Sequence, residues 1–400
     1  MAKRRIYLDY AATTPVDLAV FSAMRPFFSQ KFGNPMSLHS FGREANDAVE
    51  KSRKQTADFF GCESSEIIFT SGATESNNLA IKGITLASAK KDENVGMPHV
   101  ITTQFEHSCV LNACRKIEEQ GMAEITYLPV GKNGLVNIQD VKKSIKPGTI
   151  LVSIMYVNNE IGTIQPIKEV GKLLSEINVS GKHSKIYFHT DATQAINYLD
   201  CKVDSLGVDL LSMSAHKIYG PKGIGCLYIR KNTPLKRIQD GGGHEFNMRA
   251  GTHNVPGIVG LGSAIALADK QRNKVSKIVE KMRNHLILRI TKEIRGVKLN
   301  GDKTKRSPNN ANFTFQDVEG EGILLGLDIK GIAVSTGSAC SAGNLQSSHV
   351  LKAIGLPEEE SHGSLRVTLG KYTTKLEIDY FIDSLKEVII KLRKIAGKHA

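Results

Sequence analysis

Two runs of this chain each end in a charged residue after a short apolar stretch, and those two charges carry the chemistry. Asp209-Leu-Leu-Ser-Met-Ser-Ala-His-Lys217 closes on a lysine, and Lys185-Ile-Tyr-Phe-His-Thr-Asp191 closes on an aspartate. Each run reads as a buried strand that delivers one charge at its C-terminal end, the edge at which open α/β sheets bind ligands. An amine and a carboxylate at neighbouring strand ends suit pyridoxal phosphate (PLP): Lys217 would form the Schiff base and Asp191 would keep the pyridine nitrogen protonated. Far down the chain, Cys340 in Ser335-Thr-Gly-Ser-Ala-Cys340-Ser-Ala-Gly suggests which chemistry such a pair serves.

Other segments add groups to the same predicted edge. A strand pattern over 66–70 runs into Ser71-Gly-Ala-Thr-Glu-Ser-Asn77 and then a helical stretch. Small residues and free N–H groups at a helix start make a phosphate cradle, although Ser or Thr before an acid is also an ordinary N-cap. His107 follows the strand pattern 99–103. It is either a satisfied polar residue or, beside such a ring, a group that stacks on it and shuttles protons. Asn159 follows the pattern 149–156 and reads as a turn residue, or as an amide that meets the cofactor's phenolic oxygen. Gln194, three residues past Asp191, can reach that oxygen too. Ser214 and His216 can donate to phosphate. Gly241-Gly-Gly-His and Arg249-Ala-Gly-Thr252 are plain loops or sites of close backbone approach at a subunit interface. The Ser, Gly, Ala and Asn around Cys340 are wrong for a buried core cysteine and right for an exposed, mobile loop. On such a loop the thiol is incidental or reactive, and the helical stretch 347–354 after it favours the second.

The elements that must position these groups follow from periodicity. Strand patterns at 66–70, 99–103, 124–130, 149–156, 185–192, 209–215 and 225–230 alternate with amphipathic stretches such as 110–120 and 166–178. That alternation predicts a mostly parallel sheet with helices on both faces. A long helical pattern over 255–294 then leads to a second unit, with strands at 312–315, 332–335 and 364–369 and a closing helix over 374–395. The predicted division is a large domain, 15–260, and a small domain made of 1–14 and 261–400. A chain of 400 residues is long enough for two cores.

Composition restricts the function classes. Apolar residues are 40% and charged residues 23%, as in soluble globular proteins. The N-terminus has basic residues without an apolar stretch behind them, so no secretory signal is read. No segment approaches the ~20 apolar residues that span a bilayer, and the expected location is the cytoplasm. Six cysteines, at 62, 109, 114, 201, 226 and 340, lack metal-ligand spacing and read as reduced thiols without a zinc site. The net charge is +13, and 269–306 holds 13 Lys/Arg against 4 acids. Val275, Ile278, Val279, Met282, Leu286 and Ile290 recur there at helical spacing, which puts the basic residues on the opposite, solvated face. The alternative is a docking surface for an acidic protein or for tRNA. Without an aromatic platform, sequence-specific nucleic-acid binding is not expected.

Taken together, the segments resemble cysteine desulfurases of the IscS/NifS type, within the class V aminotransferase family. The resemblance rests on Leu8-Asp-Tyr-Ala-Ala-Thr-Thr-Pro15, Phe32-Gly-Asn-Pro35, Ser71-Gly-Ala-Thr-Glu-Ser76, Val157-Asn-Asn-Glu-Ile-Gly162, Asp191-Ala-Thr-Gln194, Ser214-Ala-His-Lys217, Met248-Arg-Ala-Gly-Thr252 and Ser335-Thr-Gly-Ser-Ala-Cys340. It implies the α/β PLP-dependent transferase fold of the aspartate aminotransferase type I class, with a mostly parallel seven-stranded sheet and a smaller α+β domain. It implies that Lys217 binds PLP covalently, Asp191 holds the pyridine nitrogen and His107 stacks on the ring. Asn159 and Gln194 would contact the phenolic oxygen, while Ala73, Thr74, Ser214 and His216 would hold the phosphate. Thr252 would reach that phosphate from the other subunit of a homodimer, and Asn34 and Arg366 would clamp the substrate carboxylate. The implied reaction converts L-cysteine to L-alanine and leaves a persulfide on Cys340. Its sulfur would go to an iron–sulfur scaffold protein or to tRNA-thiolation acceptors. No metal is implied in the resting enzyme, although Cys340 could transiently share an iron–sulfur cluster with the scaffold. The chain departs from the pattern in a longer stretch at 176–185, expected only to enlarge a surface loop, and in a shorter C-terminal tail, expected to bear on scaffold docking and not on the chemistry. The rival readings are a PLP aminotransferase or selenocysteine lyase, and a non-catalytic or RNA-binding protein on a retired PLP fold.

Overall fold

The computed structural model describes residues 5–88, 96–181, 183–336 and 347–397, so Cys340 lies outside the described residues. The described chain opens with β1 (Ile6–Tyr7) and builds its main sheet from seven strands. These are β2 (Ile67–Thr70), β3 (His99–Thr103), β4 (Glu124–Leu128), β5 (Thr149–Ser153), β6 (Tyr187–Asp191), β7 (Leu210–Ser214) and β8 (Gly225–Ile229). Their spatial order is β2-β8-β7-β6-β5-β3-β4. All neighbours are parallel except β8, which runs antiparallel to both β7 and β2. That double reversal leaves β2 pointing the same way as β7. The C-terminal ends of β2, β3, β5, β6 and β7 therefore open on one edge, as the sequence predicts.

Both faces of this sheet are covered. In β8, Cys226 and Tyr228 join one apolar core while Leu227 and Ile229 join the other, and in β2 Ile67 and Phe69 alternate with Ile68 in the same way. Strands buried on both faces lose the polar half of the alternation and read as nearly continuous apolar runs.

Helix Val255–Glu293 starts where Asn254 accepts the Gly257 N–H (3.1 Å), with a proline in its first turn. At roughly 1.5 Å per residue it spans about 58 Å. Its first turns bury Ile258, Leu261 and Ile265 in the main core, and its later turns bury Val279, Leu286 and Ile290 in a second one. That second core is backed by the antiparallel sheet of β9 (Val297–Asn300), β10 (Asn310–Phe315) and β12 (Ser364–Thr368), ordered β12-β10-β9. β1 pairs in parallel with β11 (Ile332–Ala333). The closing helix Lys375–Ile395 begins with a capping box between Thr374 and Glu377.

One expectation needs correction here. The basic residues of 269–306 do not all occupy a solvated face, because Arg283 and Arg306 are buried. Arg283 donates to the carbonyls of Arg306 and Ser307, and Arg306 donates to those of Asp302, Ile161 and Asn300. A guanidinium with five donors can satisfy carbonyls that no strand partner reaches. Conversely Ile278, assigned to the apolar face, is half exposed. Among the described residues, no helix is long and apolar enough to cross a membrane.

Candidate active site

At the shared strand edge lies a cavity of about 560 Å³. β7 runs into a short helical turn, Ala215–Lys217, that swings Lys217 over this edge. Its Nζ donates to the carbonyls of Ala11 (2.6 Å) and Ala12 (2.7 Å). The amine is thus held against the N-terminal segment, 206 residues away in sequence. Asp191 ends β6 and is 6% exposed. Its Oδ1 accepts the Thr193 N–H (2.9 Å) and its Oδ2 accepts the Asn77 side-chain amide (2.7 Å).

On the β2 side, helix Ala73–Ser88 begins two residues after the strand. Gly72 between them sits at φ 149, and a Cβ there would lie 3.5 Å from Ser214 Oγ. Glu75 takes the Ser71 N–H (2.7 Å). The first-turn N–H groups of a helix have no upstream carbonyl to bond, and Ala73 and Thr74 bring that turn to the cavity wall. Ser214 and His216 line the same wall. Burial, reinforced by Lys217 and Lys222, pushes the His216 pKa down to about 4. The neutral ring has its Nδ1 3.1 Å from Thr13 Oγ1.

His107 caps helix Ser108–Glu119, its Nδ1 accepting the Cys109 N–H at 3.2 Å. Burial pushes its pKa down against the opposing pull of Asp191. Asn159 and Gln194 line the cavity as well, with Gln194 donating to the Ala11 carbonyl (3.0 Å). Arg366, on β12, enters from the second sheet and donates to the Asn159 carbonyl (3.1 Å) and to Asp9 Oδ1 (2.8 Å). Its Nε is buried without a partner.

Ten of the expected residues therefore meet at one cavity. Asn34 does not, since its side chain accepts the Met36 N–H (3.0 Å) on an exposed turn. Thr252 does not either; it is exposed, in a loop tied down by the Arg249–Glu75 ion pair (2.9 Å). Asn77, Asp9 and Cys109 were missed. Asn77 stands four residues after Ala73, the spacing that puts two residues on one helix face, which is the signal that could have found it. The Asp9–Arg366 pair spans 357 residues and left none.

Glu106, also unassigned from sequence, is fully buried. Its Oε1 accepts from Thr103 Oγ1 (2.8 Å) and the Met155 N–H (2.9 Å), while Oε2 has no partner. Burial, with the Asp191 charge adding to it, pushes its pKa from 4.5 up to about 8. A carboxyl raised in the folded state contributes stability that is complete below about pH 4.5 and lost as pH climbs through about 8. Thermal unfolding across that window should show the wild type losing ground to a Glu106→Gln variant, which cannot ionise. A gap that stays constant with pH would mean that Glu106 does not titrate there.

The donor set fits PLP. A carboxylate fixed by two donors, an amine, a helix N-terminus and an arginine with an unpaired nitrogen meet a ring nitrogen, an aldehyde, a phosphate and a substrate carboxylate in turn. The comparisons agree. The Aminotransferase class-V family matches residues 6–381. A curated relative, "Cysteine desulfurase IscS" of Dictyoglomus turgidum, is 52% identical over 98% of this chain and 97% of its own. Among solved structures, a "NIFS-LIKE PROTEIN" superposes with a TM-score of 0.88 at 36% identity, covering 96% of this chain and 99% of that one. Another, "SspA in complex with cysteine", gives 0.79 at 38% identity over 92% and 100%. This chain belongs to the class V aminotransferases and, within them, to the PLP-dependent cysteine desulfurases of the IscS and NifS type.

Proposed function

We propose that this protein takes sulfur from free L-cysteine, releases L-alanine and carries the sulfur as a persulfide on Cys340. The observation that carries the reading is the convergence of Lys217, Asp191 and Arg366, from three separate elements, on one cavity. The cysteine bound in a similar solved structure supports the substrate.

Arg366 would hold the substrate carboxylate through its fork, with Asp9 and the Asn159 carbonyl keeping the guanidinium in place. PLP, when bound, supplies the electron sink that stabilises negative charge on substrate carbon. Lys217 would take the Cα proton and return it elsewhere. The amine, shared between two carbonyls in the structure, can be released to do so. Ala73, Thr74, Ser214 and His216 would hold the phosphate, Asn159 and Gln194 the phenolic oxygen, and His107 would cover the ring face. Cys340, as thiolate, would attack the substrate sulfur: a new S–S bond forms, Cβ–S breaks, and the electron pair left on Cβ takes a proton to give alanine.

In this reading 15–260 hold the cofactor, while 1–14 and 261–400 bring Cys340. Thr252, exposed on its own chain, would complete the phosphate site of a second copy in a homodimer. The sulfur would pass to an iron–sulfur scaffold protein or a tRNA-thiolation enzyme. The test is Cys340→Ala with two readouts, alanine release and intact mass after exposure to cysteine. Wild-type protein should gain sulfur on the peptide containing Cys340, and the variant should gain none and stop releasing alanine. Alanine released by the variant at the wild-type rate would sink the persulfide reading and favour an aminotransferase-like lyase.

A further inference from the structure

The neighbours of His107 Nδ1 bear on which ring nitrogen carries the proton. A neutral imidazole has one N–H and one acceptor nitrogen, and the neighbours decide which is which. His107 Nδ1 faces the backbone N–H of Cys109 at 3.2 Å. A backbone N–H can only donate, so a proton on Nδ1 would set two donors against each other. The Cys109 thiol lies 3.0 Å from the same nitrogen. Sulfur can donate or accept, and the Asn77 side-chain amide donates to it at 3.1 Å. Because Nδ1 already accepts the Cys109 N–H, the thiol can meet that nitrogen only as a donor. The thiol hydrogen is left to point at Nδ1.

The Asn77 amide is itself oriented. Its Nδ2 has two hydrogens, one on Asp191 Oδ2 (2.7 Å) and one on Cys109 Sγ (3.1 Å). Turning it over would place an oxygen against a carboxylate, so the nitrogen must face this way, and Oδ1 is left buried without a partner. An unsatisfied buried oxygen costs free energy. It is tolerated because the carboxylate dictates the arrangement. Burial keeps both neighbours uncharged, pushing the His107 pKa down and the Cys109 thiol up to about 12.

We infer that Asn77 and Cys109 are positioning residues that hold the neutral His107 ring with its proton on Nε2, so that His107 meets the cofactor and substrate as a hydrogen-bond donor rather than as a base. Accepting a proton at Nδ1 would break the cap of helix Ser108–Glu119. A neutral ring that donates from Nε2 can steady negative charge without a full proton leaving it. The inference deepens the proposed function and rests on it for the identity of what His107 meets.

The test is the ring nitrogen NMR spectrum of histidine-labelled protein, with and without PLP, assigned by the signal missing in His107→Gln. Nδ1 should show the shift of an unprotonated nitrogen and Nε2 that of a protonated one. Cys109→Ala should draw the two shifts toward each other as the tautomers mix, and Cys109→Ser, which restores a donor, should separate them again. A wild-type spectrum with the proton on Nδ1 would overturn the inference. A Cys109→Ala spectrum identical to the wild type would overturn the role given to the Cys109 side chain and leave the backbone N–H as what sets the tautomer. Enzyme that releases no alanine from cysteine but gives the expected spectrum would remove the functional reading and leave the tautomer standing. The opposite result would remove only the tautomer.

Discussion

Lys217→Ala is expected to lower alanine release from cysteine by at least about a thousandfold, the scale of a lost proton-transfer group compounded by a lost covalent partner. The geometry makes the residue hard to replace. Among the described residues, Lys217 is the amine that the turn after β7 delivers to the cavity, and its Nζ donates to the Ala11 and Ala12 carbonyls, 2.6 and 2.7 Å away. Lys222 also lines the cavity, but beyond the turn and toward Gly223. A Lys217→Arg variant separates charge from chemistry. A guanidinium keeps the positive charge but neither condenses with an aldehyde nor releases a proton near neutral pH. Both variants should therefore fail alike, and neither should retain PLP after borohydride reduction, whereas wild-type protein should hold it on the peptide containing Lys217. Lys217→Arg turning over near the wild-type rate would show that only charge is needed there, and the proposed role of the amine would fall.

Much of this site was legible because parallel strands buried on both faces leave an unmistakable trace: an apolar run that stops at a polar residue. Asp191, Lys217 and His107 stand where such runs stop. The long helix Val255–Glu293 was equally plain, since Asn254 and the following Pro256 mark its start. The short strands were not. β1 has two residues, and β9 reads Val-Lys-Leu-Asn with a half-open face. β9 is held by the next strand in sequence, β10, which pairs with it antiparallel. β1 exists because a distant partner, β11, offers its edge, and no local pattern encodes that. The same holds for Asp9. Its carboxylate matters because β12 carries Arg366 to it, and the chain between them holds the whole main sheet. Arg283 and Arg306 show the reverse error. Sequence gives their charge but not the direction of their side chains, so two buried carbonyl binders were counted with a solvated face.

Asp191→Asn should cost turnover roughly 3–5 kcal/mol, about two to four orders of magnitude, as when one member of a buried charge pair is removed. Two effects add. The first is local: Oδ1 and Oδ2 both accept, from the Thr193 N–H at 2.9 Å and the Asn77 amide at 2.7 Å. An asparagine must turn its NH₂ toward one of those donors, leaving a buried clash of like groups worth about 1–3 kcal/mol. The second is electrostatic: in the proposed site the ring nitrogen of PLP would lose the anion that keeps it protonated and with it most of its capacity as an electron sink. The proposed phosphate cradle at Ala73 and Thr74 and the amine of Lys217 are untouched, so PLP should still bind while the rate constant for turnover falls. The His107 ring gives an independent readout. Asp191 pulls its pKa upward against burial, so removing the charge should drive that pKa lower still, whatever happens to the rate. Asp191→Glu keeps the charge one methylene out of place and should recover part of the loss. If Asp191→Asn instead turns over within a few-fold of the wild type, with the His107 titration unmoved, the carboxylate faces no ring nitrogen and the assignment of this edge as the PLP site fails.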